Sequence, residues 1–381
     1  MISRRQQWIE IDSRAVRFNL NQFRSLAGKK RKLLAMVKSN AYGHGILPVS
    51  RTVMEAGADW LGVNDLQEGV HLRREGFTCP ILVAGYVPLD ELKTAVDFDL
   101  RLTVYSRETL TRLSEVCRSG ERKTKIHLKV ETGTHRQGIR ESEVPEFIHL
   151  IRSLPGLELE GVSSHFANIE DTTDHSYALW QLENFERICR DLKKQNVEVR
   201  LKHIACSAAV ILFPETYFDM VRVGIGLYGL WPSREVYVSN LLRGRDPFRL
   251  KPVLSWKTRV AQIKSVPKGA FIGYGCTYKT TRSTRLAVLP VGYRDGYARA
   301  LSGLSHVLIR GQRAPVRGRI CMNFTMVDVT DIERVGLEDE AVLLGKSGEE
   351  TLTVDTLADW MGTINYEFVA RIHPDIPRIA V

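Results

Sequence analysis

The fold is decided by the stretch Leu33-Leu34-Ala35-Met36-Val37-Lys38-Ser39-Asn40-Ala41-Tyr42-Gly43-His44-Gly45. Its apolar start predicts a buried strand, and the Asn and Gly residues that follow predict a loop. Lys38 therefore stands at the carboxyl end of a buried strand. Burying an amine lowers its pKa or requires a bond, and a covalent imine with an aldehyde cofactor supplies one. The alternative is a lysine that extends from the strand end to solvent.

The length and composition predict a soluble protein of two domains. The chain has 381 residues, more than the roughly 250–300 that one core usually supports. Hydrophobic residues make up 44% and charged residues 26%, which is ordinary for a globular protein. No apolar run approaches the ~20 residues of a membrane span, and no apolar segment of a secretory signal follows the first residues. We therefore expect a cytoplasmic protein with no membrane partner.

Charge and cysteine content narrow the choice of ligands. The net charge is +10, and the run Lys29-Lys30-Arg31-Lys32 is the densest basic segment. A basic run can indicate nucleic acid, but no aromatic residues interleave with this one, and a solvated loop is the more common explanation. We expect no nucleic-acid partner, whereas a positive field would also attract anionic small molecules. The six cysteines are scattered, which favours reduced thiols and no metal site.

Between about residues 10 and 235, short apolar runs alternate with helical stretches. This rhythm predicts a (β/α)8 TIM-type barrel, with a doubly wound open sheet as the alternative. The carboxyl ends of barrel strands meet at one face, so we expect Lys38, Arg136, His165, Ser207 and Gly224 to gather there. The predicted strands are Lys32–Val37, Trp60–Val63, Ile81–Val83, Leu100–Val104, Lys125–Val130, Leu159–Val162, His203–Ala205 and Met220–Val223.

Beyond about residue 240 the pattern changes to short alternating runs separated by Gly, Pro and Asp. This pattern predicts a mainly antiparallel β domain, interrupted by one helix near Thr353–Trp360. We divide the chain into a barrel over residues 11–238 and a β domain over residues 239–381. The predicted β strands are Ser255–Ile263, Arg285–Leu289, His306–Ile309, Ala314–Arg317, Phe324–Val329 and Glu340–Leu343.

The segment from Val37 to Gly45 resembles the pyridoxal-phosphate lysine motif of bacterial alanine racemases, which usually have alanine at the Ser39 position. The resemblance implies that Lys38 carries pyridoxal 5'-phosphate as a covalent imine and that Tyr42 supports it. It also implies that the alternating strand within residues 1–10 joins the C-terminal β domain.

A second segment, Met220 to Gly229, resembles the part of these racemases in which an arginine faces the ring nitrogen of the cofactor. That role falls to Arg222. A guanidinium with a pKa above ~12 cannot give its proton to a pyridine, so the ring stays neutral and withdraws electrons less strongly. A surface ion pair is the alternative for an arginine after a strand.

The resemblance also implies a phosphate site. Gly224 and Ile225 would offer backbone N–H groups, assisted by the hydroxyls of Ser207 and Tyr366. Phosphates favour such clusters of donors.

The segment Phe271 to Tyr278 resembles the part of the family that carries a second catalytic base, here Tyr274. Racemisation removes a proton from one face of Cα and returns one to the other, so Lys38 and Tyr274 would serve opposite faces. The family supplies a histidine beside the tyrosine, which matches His165. Since this tyrosine comes from the neighbouring subunit in the family, the resemblance implies a homodimer with shared active sites.

The remaining matches concern the substrate. Met322 and Asn323 match the segment that contacts the substrate carboxylate from the partner chain, although most alanine racemases have aspartate at the Asn323 position. Arg136 matches an arginine near the carboxylate, and Lys129 matches a lysine that some relatives carbamylate to hold it. Tyr293 is expected at the substrate entrance. Cys206 is a further departure, since asparagine is common there.

The resemblance implies an alanine racemase that interconverts L- and D-alanine by a two-base mechanism and supplies D-alanine for peptidoglycan. A broad-spectrum amino-acid racemase is the first alternative, favoured by Asn323. A pyridoxal-phosphate decarboxylase of the same plan is disfavoured by Arg222. A cofactor-carrying barrel without catalysis is disfavoured by residues 240–381.

Overall fold

The computed structural model describes residues 5–242 and 248–381, and within them the chain divides into two compact units. The barrel unit comprises Arg14–Ala41 and Ser50–Lys251, and the β unit comprises the described part of Met1–Ser13 with Tyr42–Val49 and Pro252–Val381. Residues 1–4 of the strand predicted within residues 1–10 lie outside the described residues. The domain boundary at residues 238 and 239 stays a prediction.

The barrel unit contains parallel strands that neighbour one another in chain order, and the last of them returns beside the first. The first and last parts of this ring of strands are joined by two isolated hydrogen bonds. The amide of Asp219 donates to the carbonyl of Lys202 at 3.1 Å, and the amide of Arg222 donates to the carbonyl of Ala205 at 3.2 Å. The predicted (β/α)8 barrel is confirmed. After strand β1 (Gln7–Ile11) of the β unit, the barrel strands are β2 (Lys32–Met36), β3 (Trp60–Val63), β4 (Ile81–Val83), β5 (Arg101–Val104), β6 (Thr124–Lys129), β7 (Leu157–Ser163), β8 (Leu201–His203) and β9 (Met220–Val223).

Helices connect these strands because the sequence between them changes to a helical period. The helix Arg107–Ser119, for example, buries Leu110, Leu113 and Val116 on one side, at the spacing of an amphipathic helix. Among the described residues, none of the helices has both the length and the apolar character that crossing a membrane requires. The helices of this part of the chain span Ser13–Ala27, Ile46–Glu55, Leu66–Arg74, Leu92–Asp97, Arg107–Ser119, Val144–Ser153, Ser176–Lys194, Ser207–Leu212 and Arg234–Leu242.

The β unit is mainly antiparallel, as predicted. Besides β1, its strands are β10 (Leu254–Arg259), β11 (Gln262–Val266), β12 (Phe271–Ile272), β13 (Tyr278–Lys279), β14 (Thr284–Leu289), β15 (His306–Ile309), β16 (Gln312–Pro315), β17 (Thr325–Asp328), β18 (Glu340–Ser347), β19 (Glu350–Leu352) and β20 (Arg378–Ala380). The largest sheet has the order β16-β15-β18-β10-β1-β20, with β19 on β18, and a second sheet has the order β11-β14-β17. The helices of this unit span Val354–Met361 and Asn365–Ala370, the second of which the sequence did not predict.

The first strand of the chain belongs to this unit. Strand β1 pairs antiparallel with β10 and parallel with β20. One strand prediction was wrong, because Ser255–Ile263 is not continuous. The amide of Val260 donates to Asp339 and that of Ala261 to Val288, so the chain leaves one sheet and enters the other there while its apolar alternation continues.

Candidate active site

Lys38 follows β2 directly after Val37, as the apolar run predicted. Leu33, Leu34 and Ala35 are fully buried, which fixes the strand, and the amide of Val37 donates to the carbonyl of Gly62 at 2.8 Å. Burial, and then the positive charge of Arg136, lower the pKa of the Lys38 amine. The strand therefore ends in an amine that loses its proton more readily than an exposed lysine.

The residues after Lys38 form a turn of left-handed helix, which we call the lysine turn (Ser39–Tyr42). Their φ angles are 55° at Ser39, 53° at Asn40 and Ala41, and 52° at Tyr42. A side chain in this conformation costs about 1–2 kcal/mol per residue, so the turn requires support from its surroundings. The carboxylate of Glu68 provides some of it, because it accepts the N–H group of Asn40 at 3.0 Å.

Arg222 lies on β9 beside β2, in register with Leu34. Its guanidinium donates to Nδ1 of His203 at 2.7 Å, to Nδ1 of His165 at 3.2 Å, and to the carbonyl of Ser164 at 2.7 Å. Burial lowers the pKa of Arg222 to about 10, so the side chain is charged at neutral pH. A guanidinium has no acceptor, so Nδ1 accepts in each histidine and the hydrogen of the neutral ring is on Nε2.

The hydrogen bonds continue from Arg222 into the barrel. Nε2 of His203 lies 2.7 Å from Nδ1 of His127, and Nε2 of His127 lies 3.3 Å from the carboxylate of Glu160. Burial, followed by the charge of Arg222, holds the pKa of His203 well below its usual value, and the same two causes act on His165. A single chain of donors thus runs from Arg222 to Glu160 through neutral histidines, and it fixes the orientation of the guanidinium.

Two further cations belong to this side of the barrel. Burial, then Arg222 and Arg136, lower the pKa of Lys129 to about 8. Arg136 is exposed, on a loop whose shape Glu131 maintains by accepting the amides of Gly133 at 2.5 Å and Thr134 at 2.6 Å. Lys38, Lys129, Arg136 and Arg222 influence one another electrostatically, so this face suits anionic ligands.

The structure brings together some of the residues that were predicted to bind the phosphate. The buried hydroxyl of Ser207 accepts the amide of Gly224 at 2.9 Å and that of Gly226 at 3.4 Å. A Cβ at Gly226 would overlap the ring of Phe23, so only glycine fits there. Ser207, Gly224 and the adjacent Ile225 therefore form one cluster within the barrel unit, and the hydroxyl has its own hydrogen to donate.

Tyr42 and Tyr366 lie together in the β unit, with ring centroids 6.2 Å apart. Gly43 has φ 79°, and a Cβ there would overlap the carbonyl of Val369. The guanidinium of Arg378 donates to the carbonyl of Gly43 at 2.9 Å and 3.1 Å and to the carbonyls of His373 and three other residues. The glycines of the motif thus serve close packing against the end of the chain.

Tyr274 is 73% exposed, on a turn between Gly273 and Gly275. Both glycines have positive φ, and a Cβ at Gly275 would come within 2.5 Å of the Arg319 guanidinium. The turn therefore directs the phenol outward from the β unit while its backbone packs against Arg319.

Tyr293, Met322 and Asn323 are brought together in the β unit. The amide of Tyr293 donates to the carbonyl of Cys321 at 3.1 Å, and the amide of Arg294 donates to that of Met322 at 3.1 Å. All three side chains are exposed, with Tyr293 at 42% and Met322 at 54%.

The sequence analysis missed His203, Glu68 and Arg378. His203 stood within a predicted strand at His203–Ala205, whereas β8 ends at His203 and leaves it beside Arg222. Its position close to the other strand-end residues was the available signal. Glu68 and Arg378 bind backbone atoms far away in sequence, and nothing local to either residue indicates that contact.

Comparison with known proteins agrees with this geometry. The model of the alanine racemase N-terminal domain matches residues 11–232, and that of the alanine racemase C-terminal domain matches residues 253–380. An alanine racemase of Halothermothrix orenii is 42% identical over 374 residues, which is 98% of this chain and 96% of that protein.

Solved structures give the same result. Alanine racemase of Clostridium difficile 630 superposes with a TM-score of 0.93 at 34% identity and covers 99% of this chain and 96% of its own. A histidine racemase from Leuconostoc mesenteroides superposes with a TM-score of 0.89 at 28% identity, covering 99% and 98% of the two chains. From the two domain models and the identity over nearly its full length, the chain belongs to the alanine racemase family.

Proposed function

We propose that the chain is a pyridoxal-phosphate-dependent racemase that interconverts L- and D-alanine and supplies D-alanine for peptidoglycan. The observation that carries the proposal is the setting of Arg222. Its charged guanidinium is bound by neutral histidines, and it lies on strand β9, next to strand β2, after which Lys38 follows. Membership of the alanine racemase family supports the choice of reaction.

The residues of the barrel unit fit the cofactor. The cations Lys38, Lys129 and Arg222 suit a phosphate and an amino-acid carboxylate, and the hydroxyl of Ser207, which accepts the amide of Gly224, has its own hydrogen to donate. We assign the phosphate to Ser207, Gly224 and Ile225, and the phosphate-binding roles of Tyr42 and Tyr366 in the β unit stay predictions. The substrate amine would replace the Lys38 amine on pyridoxal phosphate, which would release Lys38 and let the cofactor withdraw electrons from the substrate, so that the hydrogen on Cα becomes acidic.

Lys38 accepts that hydrogen on one face of Cα. Its lowered pKa brings the amine nearer to the operating pH, which favours transfer in both directions. Arg222 would face the ring nitrogen without releasing its own proton, since its pKa of about 10 keeps it charged. This restrains electron withdrawal and favours return of a proton to Cα over other reactions.

Tyr274 serves the opposite face. Nε2 of His165 carries the hydrogen of that ring, so it can donate to the phenol oxygen and stabilise its deprotonated form. We propose that Tyr274 reaches the site from the partner subunit of a homodimer. Its 73% exposure in the single chain supports a role toward a second molecule.

The substrate carboxylate is assigned to Arg136 with Met322 and Asn323 of the partner subunit, and Tyr293 is placed at the entrance. We propose that Lys129 orients Arg136 when it is carbamylated, because the carbamate supplies a negative charge that faces the guanidinium. We propose a cytoplasmic location, which the free thiols of all six cysteines support.

A broad-spectrum racemase is the second candidate. Asn323 stands where most alanine racemases have aspartate, and one similar structure is that of a histidine racemase. Asparagine removes a negative charge beside the carboxylate site, which would relax specificity.

The test is incubation of the purified chain, supplied with pyridoxal phosphate, with single L-amino acids in D₂O. We expect deuterium at Cα and loss of optical rotation with alanine, and much slower exchange with larger amino acids. Rapid exchange of many amino acids would favour the second candidate. A colourless protein that leaves every amino acid unchanged would contradict both.

A further inference from the structure

Glu68 lies in the first turn of the helix Leu66–Arg74. Its carboxylate accepts hydrogen bonds from residues outside that helix. One oxygen accepts the amide of Asn40 at 3.0 Å, and the other accepts the amide of Asn64 at 3.1 Å. The backbone of Ser39 also donates to it. A single side chain therefore binds the two residues that directly follow Lys38.

A helix-starting glutamate usually caps its own helix, but here that function is performed by Asp65, which accepts the amide of Glu68 at 3.0 Å. Glu68 is left to bridge two loops, the one after β2 and the one after β3. Burial raises the pKa of its carboxyl, which shows the cost of keeping a charge in this position. A carboxylate exposed to solvent would avoid that cost, so the burial of Glu68 against the lysine turn requires an explanation.

We propose that Glu68 is a positioning residue, whose carboxylate fixes the left-handed lysine turn and thereby the direction in which Lys38 leaves its strand. The lysine turn consists of residues with side chains in a conformation that favours glycine. Charge-assisted bonds to the N–H groups of Ser39 and Asn40 stabilise it at its first two positions. The inference rests on the proposed attachment of pyridoxal phosphate to Lys38.

The experiment uses the full chain, freed of cofactor and recharged with pyridoxal phosphate. The rate at which the visible absorbance of the lysine-bound cofactor appears is compared for the wild type, Glu68→Ala and Glu68→Gln. We expect roughly ten- to hundred-fold slower attachment in Glu68→Ala, as for other misplaced reacting groups, and an intermediate rate in Glu68→Gln, which retains one acceptor oxygen. Glu75→Ala is the matched control, since Glu75 ends the same helix and pairs with Arg51 at 3.4 Å.

A purely electrostatic role gives the opposite sign. The negative charge of Glu68 raises the pKa of Lys38, so losing it would leave more neutral amine and faster attachment at neutral pH. Equal or faster attachment in both Glu68 variants therefore overturns the proposal. If Glu68→Ala fails to fold, slower attachment in the folded Glu68→Gln supports it, and an unchanged rate overturns it.

Hydrogen exchange of the Ser39 and Asn40 amides, measured without cofactor, tests the turn separately. Faster exchange in Glu68→Ala than in Glu75→Ala supports the proposal, and equal exchange overturns it. If the wild type never binds the cofactor while these amides respond as expected, the proposed function is what fails.

Discussion

The candidate residues of the barrel unit and those of the β unit are held in opposite ways. Arg222, His165 and His203 bind one another and backbone carbonyls. Tyr274, Tyr293 and Met322 are exposed, and it is their backbones that are fixed, by glycine turns and amide bonds. The barrel unit thus sets the ionisation of its groups by burial, while the β unit presents side chains outward.

The difference indicates which property each set contributes. A buried network changes pKa values and keeps a rigid orientation, which a group bound to a cofactor requires. Exposed side chains on rigid turns can meet another molecule without losing their own support. The comparison therefore predicts that the buried group around Arg222 governs cofactor binding and that the exposed Tyr274, Tyr293 and Met322 govern what happens to the substrate.

The largest expected effect is that of Lys38→Ala. Removing the amine should abolish the visible absorbance of the bound cofactor and reduce racemisation more than about a thousandfold, because attachment and one proton transfer both depend on it. Lys32→Ala is the control, since this lysine starts the same strand and pairs with Asp59 at 3.3 Å. An absorbance that persists without Lys38 would show that another group holds the cofactor.

The second-largest effect tests whether Lys38 of one subunit and Tyr274 of the other form one active site. Lys38→Ala and Tyr274→Phe should each be inactive as pure proteins, the second by about 10²–10⁴-fold. Dimers with one chain of each kind, purified by two affinity tags, should recover about half the wild-type rate, since a two-fold symmetric assembly then has one intact site. Tyr274→Phe paired with the wild type provides the reference.

Inactive mixed dimers would place both residues in one chain. A failure to obtain any dimer at protein concentrations that support activity would contradict the shared site altogether.

The sequence predicted the fold where burial is continuous. Strands Trp60–Val63 and Ile81–Val83 have the predicted bounds, because each is a continuously buried run between turn residues. The prediction of Ser255–Ile263 as one strand was wrong. The alternation of apolar and polar residues indicates which side of a strand is buried, but it does not indicate which sheet the strand belongs to. The corner at Val260 depends on partners far along the chain.

The site was predictable to the same extent. Lys38 and His165 could be named because each follows a strand, and Arg222 because it lies within a recognisable segment. The partners that give them their properties, His203 and Glu68, could not be named. A histidine in a strand resembles a core residue, and the bond of Glu68 to Asn40 joins a helix to a turn far away in sequence. The roles assigned to the individual site residues stay predictions.

The smallest expected effect concerns Lys129, whose chemistry depends on the cations around it. With a pKa of about 8, roughly a tenth of its amine is neutral at pH 7, compared with about one part in three thousand for an ordinary lysine. Only the neutral amine reacts with carbon dioxide, and the resulting carbamate would place a negative charge between Arg222 and Arg136. We therefore expect one carbamate signal in ¹³C NMR when labelled bicarbonate is added, growing as the pH rises from 6 to 8.

Lys129→Met should remove that signal, whereas Lys125→Met, which changes another lysine of β6, should leave it unchanged. Arg136→Met should weaken it, because losing one neighbouring cation raises the pKa of Lys129 and also destabilises the anion. These two consequences have the same sign, so the Arg136 variant is the sharper test. A signal of equal strength in that variant would mean that burial alone sets the reactivity of Lys129, and that the cations of the barrel unit act on the ligands and not on one another.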